Sequence, residues 1–333
     1  MLEVFAEDTD DELMVLIPKE AARFVPPGLR VQTFVSGDSR ARLVFELRDS
    51  ARLATRLGGE ALVCLQESVP WRSPIPVVAE SIGRPLRELD GHHRLATAVR
   101  RASLGGASAV FVSDDLSSLA HLPMARRVPP VVSPAFHPAP SGTTAPGLGR
   151  WSVEGDYVLA WACGRRGLAR LLAAWTWVDG SLGDTVTLAL VCANAKIMAE
   201  AEAAASSMGV KDSVRTLVLE DAADLPSLFR QARAYLGVEA GPIPQVFRWA
   251  LASGVPIVAE TSNEAGDISG DAAYLVPPAD ERALGAATLT VLVEDEVAER
   301  LRTRGLDRAR AYAPHKALSA RLEIIHALGS RRG

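Results

Sequence analysis

The chain has 333 residues, enough for two domains of ordinary size, and 48% of them are hydrophobic, which excludes a disordered protein. A formal net charge of −4 offers no field for nucleic acid or an anionic membrane, and thirty-two arginines against four lysines are scattered rather than clustered. Three cysteines, Cys64, Cys163 and Cys192, fit neither a disulfide framework nor a zinc site; their apolar, strand-like surroundings predict reduced core thiols in a cytoplasmic protein.

Short apolar runs alternate with amphipathic stretches along the chain, the pattern of parallel α/β layers. The first half predicts strands at Leu13–Ile17, Leu29–Phe34, Ala61–Leu65, Pro76–Glu80, Ala109–Val112 and Pro130–Ser133. Residues Pro138–Gly149 are rich in Pro, Gly, Ser and Thr without an apolar period, and read as a linker. The second half predicts strands at Tyr157–Ala162, Thr185–Cys192, Val214–Leu219, Ala234–Val238, Val255–Ala259 and Ala273–Val276. Helices are expected between them at Leu168–Val178, Lys196–Ser207, Leu225–Arg233, Pro244–Ala252 and Glu281–Val293, where apolar residues recur every three to four positions. A last helix, Lys316–Leu328, follows Pro314. No apolar run reaches the roughly eighteen residues of a membrane span, and Met1 is expected to open no signal peptide.

Five ordered segments of the second half resemble family 4 of the glycosyltransferases. They are Tyr157–Trp161, Arg165–Trp175, Asp224–Tyr235, Ala250–Ala259 and Gly270–Pro278, similar to that family's first strand, phosphate loop with helix, "DLPALYAAADAF", "AMACGTPVVA" and "GDAALLVDP" segments. Ala107–Asp115 and Ser133–His137 match more faintly in the first half. The resemblance implies an α/β protein of GT-B type, with two Rossmann-like domains facing across a cleft. It places an N-terminal acceptor-side domain at 1–140, a linker at 141–150, a nucleotide-sugar-binding domain at 151–313, and a helix at 314–330 crossing back to the first. It also implies transfer from a nucleoside-diphosphate sugar with retention, without a metal or cofactor, because cations and helix N-termini neutralise the leaving diphosphate.

The polar positions depart from the family. Its loop Arg, which follows a Gly, falls on Trp161 after Ala160, and its Lys on Arg166, preceded by Arg165. Arg166 is either a bidentate diphosphate contact or a solvated helix-start residue. Counting back without gaps from Gly254 and Pro256 places the two carboxylates of the E-x7-E pattern on Gly241 and Trp249. Glu239, two residues early, is the remaining candidate for the catalytic carboxylate. Pro242 and Pro244 each remove one amide donor from the phosphate loop, although Pro244 is normal at a helix start. Asn263, beyond the Val255–Ala259 strand, joins Arg165, Arg166, Gly241, Trp249 and Trp161 as an expected donor contact. In the first half Ile82 stands where the family has a His, leaving Glu80 or Ser81 to face the cleft. His92 and His93 point to different faces of a helix and make a poor metal pair. His137 is a lone loop histidine. Met1–Asp10 resembles the end of the helix after the family's first strand and glycine loop, so the first domain looks truncated at its start: either the true start lies upstream or the domain has lost part of its active site.

Two functions stay open. One is an active retaining glycosyltransferase that builds a glycan or glycolipid. The other is a non-catalytic relative, a binding or partner subunit for a catalytic glycosyltransferase. Loss of each transition-state charge stabiliser typically costs about 2–4 kcal/mol. A lipid-linked acceptor would place the protein peripherally at the membrane. A dinucleotide dehydrogenase is disfavoured, because no G-x-G-x-x-G follows the first strand of either half.

Overall fold

The structure is a computed structural model that describes residues 11–19, 25, 29–34, 39–65, 68–81, 98–99, 102–113, 122–139, 151, 153, 155–162, 164–219, 224–238 and 244–330. It divides into two units, Met1–Val131 with Ala313–Gly333, and Val132–Tyr312. The linker stretch Ser141–Gly149 lies outside the described residues.

In the first unit β1 (Met14–Pro18) and β2 (Arg30–Phe34) pair in parallel as a sheet of their own. A helical run follows, made of α1 (Ser39–Val44), a π-helical turn (Phe45–Asp49) and α2 (Ser50–Arg56). The main sheet is parallel, in the order β3 (Leu62–Cys64), β4 (Val77–Ser81), β5 (Ala109–Val112), β6 (Ala125–Arg127). The strand expected at Pro130–Ser133 does not form; its place in the sheet is taken by β6, just upstream. Pro129 and Pro130 carry no ladder donors, so pairing ends ahead of them.

The second unit holds six parallel strands: β7 (Asp156–Trp161), β8 (Val186–Cys192), β9 (Val214–Val218), β10 (Ala234–Gly237), β11 (Ile257–Glu260) and β12 (Ala273–Val276). Their order across the sheet is β12-β11-β10-β7-β8-β9. Read from the first strand, this is the 3-2-1-4-5-6 order of a doubly wound nucleotide-binding sheet. Both faces are buried, as crossover helices require of a parallel sheet. Alternate residues of β7 show it directly. Val158 and Ala160 face the cluster built with α3 (Gly164–Leu182), α4 (Ala195–Ser207) and α8 (Glu281–Val293). Tyr157, Leu159 and Trp161 face the other, built with α5 (Leu225–Gln231), α6 (Pro244–Ala252) and α7 (Asn263–Ser269).

Helix starts follow capping chemistry. Asn194, Ser262 and Asp280 accept from Ile197, Ala265 and Ala283 N–H groups at the heads of α4, α7 and α8. The close approach of α3 to α8 depends on Gly285, where a Cβ would lie 2.7 Å from the Ala174 carbonyl oxygen. Helices α7 and α9 (Asp295–Ala309) were not anticipated. In α9 only Val297, Leu301 and Gly305 are buried, a stripe too narrow to stand out.

The last helix, α10 (Pro314–Gly329), belongs to the first unit. Ile324, Ile325 and Leu328 cover Val78, Ala109, Phe111 and Val128 on one sheet face. Beside them Arg321, 2% exposed, forms a buried ion pair with Glu80 at the end of β4. It also donates to the Pro129 carbonyl at 2.8 Å and the Ser113 hydroxyl at 3.3 Å, and lies over the Phe111 ring. Removing one member of such a pair strands a buried charge, at a cost of roughly 3–5 kcal/mol. Urea unfolding of Glu80→Gln and Arg321→Met should show losses of about that size, with the double variant less destabilised than the sum. Additive losses would mean that the two side chains do not depend on each other.

Candidate functional site

Strand order in the second unit reverses between β7 and β10. The crossovers from these two strands leave in opposite directions, so their carboxyl ends border a crevice, where ligands bind in open α/β sheets. Two helix starts meet this edge. After β7 the chain turns at Gly164, with φ +51°, into α3; after β10 it enters α6 at Pro244. Each helix directs free N–H groups and the positive end of its dipole toward the edge. Arg165 and Arg166 stand exposed in the first turn of α3, so the edge carries two cations beside two amide-bearing helix ends. That arrangement suits a diphosphate.

The two arginines differ in surroundings. Arg165 lines a small hollow of about 260 Å³ with Leu168, Ala169 and Ala203, and with Glu200 of α4. Arg166 is not among the residues lining that hollow. Asn263 is exposed as the first residue of α7, on the same edge beyond β11. Glu239, Gly241, Ile82, His92, His93 and Cys163 lie outside the described residues, as does Met1–Asp10.

Both expected tryptophan contacts belong to the apolar cluster under α5 and α6. Trp161 ends β7 only 5% exposed, and could touch a ligand only by leaving the core. Trp249 lies in the second turn of α6, half-buried, its ring stacked on Phe136 with centroids 4.9 Å apart and planes 1° from parallel. Phe229 meets both rings edge-on, at 6.0 and 5.8 Å. Phe136 comes from the segment just upstream of the Pro/Gly-rich stretch, and Arg230 donates to the neighbouring Ala135 carbonyl at 3.3 Å. Apolar packing therefore occupies the position that aligns with the family's second carboxylate.

The carboxylate of Glu80 does not face an open edge, because Arg321 holds it in the interior, and of the Ser81 side chain the structure gives no description. His137 is exposed, with Nδ1 2.9 Å from the Pro138 carbonyl oxygen. Among the described residues no group of three or more His, Cys, Asp or Glu is placed to hold a metal ion. Burial pushes the Cys192 thiol up to about 12, with Glu202 adding to the shift, and burial with Glu46 does the same for Cys64. Sequence reasoning missed Arg321, Arg170 and Glu260, whose partners lie far away in the chain.

Two outcomes follow. Trp249→Glu should lose at least about 2 kcal/mol in urea unfolding and gain no affinity for UDP, because the new carboxylate meets Phe136 and Phe229; a tenfold gain in affinity would show that the ring blocks a nucleotide site. In a Cys163→Ser background, Cys192 should resist iodoacetamide at pH 8 until denaturant is added. Labelling of the folded protein at the rate of a free thiol would contradict the buried placement.

No protein-family model and no curated protein matches the chain. Solved structures do. A glycosyltransferase from Rickettsia africae is 10% identical over 93% of this chain and 87% of its own, with a TM-score of 0.63. Anabaena HepE, solved in complex with UDP and glucose, is 15% identical over 91% of this chain and 87% of its own, with a TM-score of 0.62. WaaG, a glycosyltransferase involved in lipopolysaccharide biosynthesis, is 14% identical over 86% of this chain and 83% of its own, with a TM-score of 0.60. At such identities the likeness speaks for the fold. Two Rossmann-like parallel sheets and these three likenesses give the chain the GT-B glycosyltransferase fold.

Proposed function

We propose that the chain binds a nucleoside-diphosphate sugar at the carboxyl edge of the second unit's sheet, and that it works in glycan or glycolipid assembly. The observation that carries this reading is the strand reversal between β7 and β10, bordered by the first turn of α3 with its exposed arginines. The diphosphate lies against the amides of α3 and α6, with Arg166 as its main cation. Arg165, which lines the hollow toward α4, plays a smaller part. UDP and glucose bound to Anabaena HepE, a protein of the same fold, are in keeping with this class of ligand. Where transfer occurs, it proceeds with retention, as the family 4 resemblance implies, and without a metal or cofactor.

Two placements favour a protein with little transfer activity of its own, acting beside a catalytic partner. Trp249 is packed on Phe136 where the family's pattern has a carboxylate. Glu80, the acid of the first unit nearest the family's His position, is neutralised by Arg321. Among the described residues no helix is long and apolar enough to cross a membrane.

Thermal-shift titration with UDP-, GDP- and ADP-sugars tests the binding. A ligand at a hundred times its Kd stabilises by about 2.7 kcal/mol. One nucleotide series should give such a shift at millimolar concentration, and Arg166→Gln should weaken it at least tenfold, Arg165→Gln less. Equal shifts for wild type and Arg166→Gln, or none for any nucleotide, would overturn the assignment. Rapid release of nucleoside diphosphate by the chain alone, with acceptor present, would overturn the weak-transfer reading.

A further inference from the structure

A buried polar junction lies at the same sheet edge, on the face opposite the tryptophans. Val258, Leu236 and Ala160 share one row of the sheet, so Glu260, two residues further along β11, stands at the carboxyl edge. Its side chain is wholly buried, and it accepts from the guanidinium of Arg170, which is 15% exposed. The same oxygen accepts from the Ala279 N–H at 3.2 Å. Ala279 has a φ of +60°, the only positive value at a non-glycine residue among those described. An alanine keeps that conformation only where its surroundings fix it. The next residue, Asp280, caps α8, and Glu281 at the head of that helix lies 3.8 Å from Arg170. One carboxylate thus ties together α3, β11 and the turn into α8.

Arg170 is one helical turn beyond Arg166, so the two side chains share a face of α3. The start of α3 needs such a tie. Gly164 leads from β7 into it with nothing among the described residues within 4 Å of its Cβ position, and Gly164, Arg165 and Arg166 are all exposed. Apolar packing begins only at Gly167 and Leu168. We propose that Arg170 and Glu260 are a positioning pair that holds the first turns of α3, and with them Arg166 and the helix amides, in register with the diphosphate-binding edge. The ligand half of this proposal rests on the function proposed above. Glu260 itself touches no ligand, since it is sealed inside the unit.

The test uses the full chain, with UDP as probe and two independent readouts. Glu260→Gln and Arg170→Gln should speed hydrogen exchange of the 168–171 amides, the first bonded within α3, and of the Ala279 amide at least tenfold, while the β7 and β8 amides stay protected. The same variants should weaken UDP binding about tenfold by calorimetry. Arg170→Lys, which keeps the charge but loses the fork geometry, should lie between them and wild type, and serves if the glutamine variants fail to fold. A purely structural pair would lower Tm and leave UDP affinity within twofold of wild type while Arg166→Gln weakens it at least tenfold; that result overturns the proposal. Unchanged exchange at 168–171 overturns it as well, whatever the ligand does. If wild type itself binds no UDP, the functional reading fails, and exchange alone decides whether the pair fixes the edge.

Discussion

A parallel sheet is joined by crossovers that cover both of its faces, and this constraint governs the second unit. The inner strands β7, β8, β10 and β11 are short and almost wholly buried, so neither face tolerates water there. Right-handed crossovers then fix which helices lie on which face. Where the winding changes direction, between β7 and β10, helices leave on both sides and the edge opens. The exposed cations at the head of α3 gain their meaning from that location.

Each unit also closes one side of its sheet with a buried Glu–Arg pair at a strand end. In the first, Glu80 of β4 holds Arg321 of the returning helix; in the second, Glu260 of β11 holds Arg170 of α3. Neither pair is a strong argument for net stability, because desolvation offsets much of the attraction. Their value lies in specificity. A buried charge accepts very few arrangements of its partner, so each pair fixes a helix along its sheet more strictly than exchangeable aliphatic contacts do.

Much of the second unit was legible in the sequence. Val186–Cys192 is apolar at every position but Thr187, as a doubly buried strand requires, and α6 begins and ends, and α8 begins, where Pro244, Gly254 and Asp280 signal. These are local signals, and local signals survive in a sequence. The pairs that shape the edge are not local. Arg321 and Glu80 are 241 residues apart and Arg170 and Glu260 are 90 apart, and no periodicity links them. The same holds for Phe136 on Trp249. Alignment marked Trp249 as a substituted carboxylate, but only the fold shows that a ring from the connecting segment covers it. The Pro130–Ser133 run looked strand-like for its apolar residues, while the two prolines in and before it decided otherwise.

What chemistry remains at the edge follows from which groups are free to act. In the reading proposed above, the arginines of α3 and the helix amides hold an anion, while Trp161, Trp249 and Glu80 are committed to packing or to another charge. Binding and transfer are thereby separated: the first depends on the strand reversal, the second on carboxylates that the described residues do not place there. The most direct test is a crystal of the full chain soaked in UDP. The account predicts diphosphate density against the first turns of α3 and α6, within hydrogen-bonding distance of Arg166, with the Phe136–Trp249 stack undisturbed. Diphosphate bound elsewhere on the chain, or a nucleotide that displaces the Trp249 ring, would contradict it.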